Sequence, residues 1–137
     1  MRNVAFLFYA TAAVFALIGM GWGIVMSATH DHALSPAHGH LNLIGFVAMA
    51  VFGTYYALTP RAASSLLARL HYGVTVAAVL VLIPGIVAAI RQTGELGAQL
   101  GALLGMAAMA LFLVVVLIHG VGAAPETGRR LAATPAE

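Results

Sequence analysis

Residues 38–59, HGHLNLIGFVAMAVFGTYYALT, carry no charged side chain and are long enough to cross a bilayer. The stretch opens on two histidines, His38 and His40, with a single glycine between them. Histidine near pH 7 is a neutral nitrogen ligand, and ionisable groups are costly in a membrane, so histidines here read as functional candidates. A helix turns ~100° per residue, so positions two apart point about 200° away from each other. One helix therefore offers an imidazole to each of two different neighbours.

Outward from this run, the chain shows four apolar segments, at residues 4–28, 41–59, 70–90 and 96–118, and every acidic and basic side chain falls outside them. Hydrophobic residues make up 62% and charged residues 7%, against about 25% charged in soluble domains. Each segment meets or approaches the ~20 residues that span about 30 Å of hydrocarbon. No water is present at that depth to satisfy backbone groups, so the segments must be helices. The first exceeds the ~7–15 apolar residues of a signal peptide and lacks a convincing cleavage site, so it reads as an anchor. The expected fold is all-α, an integral membrane four-helix bundle. A four-transmembrane-helix domain covers residues 1–120, and residues 121–137 have the composition of a flexible cytoplasmic tail.

Arginine sets the expected orientation. Arg2, Arg61, Arg69, Arg129 and Arg130 lie on one side of a four-pass chain and Arg91 alone on the other. The positive-inside rule then places both termini in the cytoplasm, with the protein multi-pass in the cell inner membrane. Segment 29–39 becomes an outer loop, and His38 and His40 sit at the outer end of the second helix. No basic stripe with interleaved aromatics is present, so nucleic acid is not an expected partner. The chain has no cysteine, which excludes disulfides, thiolate metal sites and covalent c-type haem. Pro84-Gly85 should kink or loosen the third helix. Gly97, Gly101 and Gly105 share a face, as do Ala12, Ala16, Gly19 and Gly23, and both faces allow close helix approach within or between chains.

His30, His32, His38 and His40 cluster toward the outer surface, whereas His71 and His119 fall toward the other end. With a rise of ~1.5 Å per residue, His40 and His71 are too far apart to ligate one iron within one chain. His30 and His32 read as interfacial residues or as a copper- or zinc-binding loop. His71 and His119 read as interface residues or as an inner haem site.

The run His38-Gly39-His40-Leu41-Asn42-Leu43-Ile44-Gly45-Phe46, continuing to Phe52-Gly53-Thr54-Tyr55-Tyr56-Ala57-Leu58-Thr59-Pro60, resembles haem-ligand helices of the haem–copper oxidase superfamily. The likeness is greatest to the large subunit of nitric oxide reductases and to C-type oxidases, and Leu70-His71-Tyr72 extends it loosely. In that family a His-x-His pair opens one helix near the outer face, and another helix begins His-x-Asn-Leu. The resemblance implies that His40 ligates a low-spin haem b under either alignment. It implies His38 as a high-spin haem ligand under the first alignment only. The family subunit has three groups of four helices, and its His-Pro-Glu and His-His elements are missing from this sequence. No membrane-embedded carboxylate is available for a proton relay, so an enzymatic role of the chain's own is not expected.

What the resemblance implies is a haem-binding membrane protein serving electron transfer or diatomic gas binding, with a redox partner or a gas as its counterpart. A unit equal to one third of the family subunit implies a homo-oligomer in the lipid bilayer, a trimer ahead of a dimer. In a trimer His38 of the next chain becomes the second ligand, and in a dimer His40 pairs with its own copy. Two other classes stand beside this one: a copper- or zinc-handling protein using the outer histidines, and a cofactor-free subunit of a larger membrane complex.

Overall fold

The computed structural model describes residues 3–123, which are helical throughout apart from short connections and contain no strand. Four long helices, α1 (Val4–Thr29), α2 (Ser35–Leu58), α4 (Leu66–Ile90) and α5 (Leu96–His119), are each apolar and long enough to cross a membrane. A single turn, α3 (Pro60–Ala63), links α2 to α4. Most of the expected tail, from residue 124 onward, lies outside the described residues.

Helix ends follow local chemistry rather than apolarity. The Asn3 Oδ1 accepts from the Ala5 amide at 3.1 Å and starts α1. Ser65 does the same for Ala68 at 3.1 Å and starts α4 earlier than its apolar run. Pro36, already fixed near helical φ, lies in the first turn of α2. Helix α2 therefore begins at Ser35, and the expected outer loop 29–39 contracts to a few residues after Thr29. His38 and His40 stand inside a helix rather than at the border of one. Immediately after them, Leu41–Ala48 runs in wide π-type turns. Asn42 contributes to this distortion: its Nδ2 donates to the His38 carbonyl at 2.9 Å, the acceptor an α-turn reserves for its own backbone N–H.

Helix α1 packs along α2 and α4 along α5, and the two hairpins meet where α4 touches α1 and α2. An aromatic cluster holds that junction. Phe8 stacks on Tyr56 at 5.5 Å between ring centroids, and Phe52 meets Phe112 at 4.6 Å. The α4–α5 backbones touch at Gly85 and Gly97, where a Cβ on Gly97 falls 2.9 Å from the Gly85 Cα. Gly101 lies closer still beneath Leu82. The glycine face of α5 is thus used within the chain at these two positions, whereas Gly105 faces open space. Gly19 and Gly23 of α1 face Asn42 and His38 instead. Helix α4 continues through Pro84, and Gly85 serves as a contact point rather than a break.

Large apolar side chains such as Leu17, Met20, Leu103 and Leu117 remain exposed. Apolar area left in water forfeits about 25 cal/mol per Å² of burial, whereas against lipid tails the same surface is at home. Helix α5 is the least covered of the four long helices.

Candidate functional site

The two histidines of the His-x-His pair face opposite ways, as the helical step requires. His38 turns inward toward α1, edge-on to Trp22 with ring centroids 6.1 Å apart. Its Nε2 lies 3.0 Å from the Gly19 carbonyl, which only accepts, and 3.1 Å from the Asn42 Nδ2, which only donates, so Nε2 has a partner in either tautomer. A ring nitrogen engaged on both sides in this way is not open to a metal. In this arrangement His38 ligates only through Nδ1, or after leaving Gly19 and Asn42.

His40 is set up in the other sense. Its Nδ1 lies 2.7 Å from the Pro36 carbonyl one turn earlier, so Nδ1–H donates and Nε2 is left bare. A backbone carbonyl on one ring nitrogen is the usual device that fixes the tautomer and raises the basicity of a metal-binding histidine. The exposed His40 lines one end of a groove of about 310 Å³ between α2, α4 and α5. Below it the α2 wall continues through Ile44 and Ala48 to Phe52. Much of the facing surface is small: Ala78 on α4, and Ala102, Gly105 and Ala108 on α5. The lining is almost wholly apolar. Thr75 also borders the groove, but its hydroxyl donates to the His71 carbonyl at 2.7 Å.

His71, expected at an interface, is fully buried in the aromatic junction at 0% exposure. Its Nδ1 shares a 2.9 Å hydrogen bond with the Tyr56 hydroxyl, and Nε2 has no partner. Phe52, Phe8 and Phe112 surround the ring at centroid distances of 4.6, 5.1 and 5.6 Å. Tyr56 and His71 were separately visible in the sequence, but nothing in their spacing joined them. Phe52 follows His40 by twelve positions, so His71 lies about three helical turns deeper along the bundle than His40. His119 ends α5 seven positions beyond Phe112 and is not among the ring contacts of His71.

At the loop end, His30 caps α1 in a left-handed conformation (φ 55°), and His32 is exposed. Among the described residues no three His, Asp or Glu side chains gather as a metal-binding group. Any cofactor held by His40 must therefore take few ligands from one chain. A macrocycle that supplies four of its own nitrogens meets that condition, and the small-residue walls beneath His40 suit a flat ring. No protein-family model matches the chain, and no curated protein or solved structure matches it significantly, so the functional reading rests on these residues.

Proposed function

We propose that the chain is a b-type haem-binding protein of the cell inner membrane, with His40 as axial ligand near the outer face and both termini in the cytoplasm. The observation that carries this reading is the bare Nε2 of His40, fixed by the Pro36 carbonyl, at the end of an apolar groove. Bound there, haem supplies an iron that exchanges one electron, or one that takes up a diatomic gas, according to whether its sixth position is filled. The residues of the chain orient the ligand ring, keep water out and leave the opposite side of the groove open.

A groove of about 310 Å³ is at the small end of the ~300–1,000 Å³ range of ligand pockets. It covers one face of a macrocycle, and a neighbouring copy of the chain covers the other. In a trimer the second ligand is His38 of the next chain, once released from Gly19 and Asn42; in a dimer it is a second His40. The resemblance to haem–copper oxidase ligand helices supports the cofactor, and the missing second-metal motifs argue against reduction chemistry.

Purification after expression with haem supply tests the reading. The wild type should show a Soret band, lost in His40→Ala and kept in His71→Ala. A haem-free wild type, or unchanged haem in His40→Ala, overturns it. Carbon monoxide added to the reduced protein separates the two roles, since only an iron with an open or weakly held position shifts its spectrum.

A further inference from the structure

At the end of the bundle remote from His40, a cavity of about 320 Å³ opens between the start of α1, the α3 turn and the start of α4. Arg69, exposed in the first turns of α4, lines it and has no ion pair or hydrogen bond among the described residues. Asn3 stands opposite: its Oδ1 is taken by the Ala5 amide, so the free end of that side chain is the NH2 donor. No carboxylate lines the cavity, and Asp31 and Glu95, the acidic residues described, belong to loops at the other end. Val4, Leu7, Pro60 and Ala63 give the wall an apolar side, and the one further polar lining residue, Ser64, donates its hydroxyl to the Arg61 carbonyl at 3.0 Å.

A guanidinium with five donors beside an amide donor matches a group rich in acceptor oxygens and negatively charged. The apolar wall matches a group with a hydrocarbon stem. Polar and apolar partners meet in this order at the headgroup level of a bilayer, where basic pockets between membrane helices hold anionic lipid. We infer that this cavity binds the phosphate of an anionic phospholipid through Arg69 and Asn3, with the glycerol and upper acyl chain against Val4, Leu7 and Pro60. The lipid ties α1 to α4 at the arginine-bearing end, independently of whatever His40 holds.

Native mass spectrometry of the purified chain, incubated in micelles with phosphatidylglycerol or phosphatidylcholine, tests this site. The wild type should retain phosphatidylglycerol several-fold better. Arg69→Gln should abolish that preference and Arg69→Lys should keep most of it. Arg91→Gln, which removes the same charge at the opposite end, should leave it intact. Ser64→Leu, which narrows the cavity without altering charge, should lower retention, and this arm stands even if Arg69→Gln fails to fold. Equal retention of the two lipids, an equal loss in Arg91→Gln, or displacement of the lipid by millimolar inorganic phosphate overturns the inference.

Discussion

Tyr56 and His71 form a buried polar pair with unequal obligations. The tyrosine hydroxyl is satisfied by the bond to Nδ1, whereas the imidazole already has one nitrogen without a partner. Tyr56→Phe leaves His71 with both nitrogens unpaired in an aromatic cage, at a cost of about 1–3 kcal/mol. Replacing both members with phenylalanine removes every unmet polar group, so the double variant should melt above Tyr56→Phe in detergent. A double variant that melts below the single one shows instead that the imidazole itself is needed there. The same accounting separates His38 from His40. Their opposite directions follow from the helical step and could be read from the sequence. Which ring is engaged could not, because the answer depends on a carbonyl of α1, Gly19, brought in by tertiary packing.

At the scale of elements, the four spans were legible because a bilayer demands long uncharged runs, and the long helices contain or closely match them. Their beginnings were less legible, since Ser35-Pro36 and Ser65 start helices by capping and preset φ before apolarity begins. The wide turns of α2 are not legible in the sequence because one contributor is a single side chain, Asn42, and not a periodic pattern. The glycines of α5 looked alike in the sequence, yet the structure divides them. Gly101 is pressed against Leu82, with a Cβ falling 2.6 Å from the Leu82 Cβ, whereas Gly105 meets nothing within 4 Å and borders the groove below His40. Gly101→Leu should therefore force α4 and α5 apart and cost about 1–3 kcal/mol or more. Gly105→Leu should fold at least as well as the wild type, since leucine is the better helix former by somewhat under 1 kcal/mol. It should nevertheless lower haem content, because its side chain occupies the groove. Thermal melts and Soret absorbance of the two variants check both expectations, and a Gly105→Leu protein with full haem places the cofactor outside this groove.

For the whole molecule, the question left by the pair of histidines is what closes the open side of the groove. Helix α5 is the least covered of the four long helices and forms one wall of that groove, so a second chain docking there would cover His40 as well. The two symmetries make different demands on His40. In a cyclic trimer each chain supplies one His40 and one opposing ligand, which makes one haem per chain. In a twofold dimer the two His40 rings share an iron, which makes one haem for every two chains. The haem-to-protein ratio of the purified oligomer, measured together with its mass in detergent, therefore separates the two. His38→Ala sharpens the comparison: it should convert the trimer's iron from six- to five-coordinate and open it to carbon monoxide, while leaving the dimer's iron closed. A single haem per chain that binds carbon monoxide in the wild type, and does so unchanged in His38→Ala, describes a third case. There His40 is the lone axial ligand, and the site is built for a gas rather than for an electron.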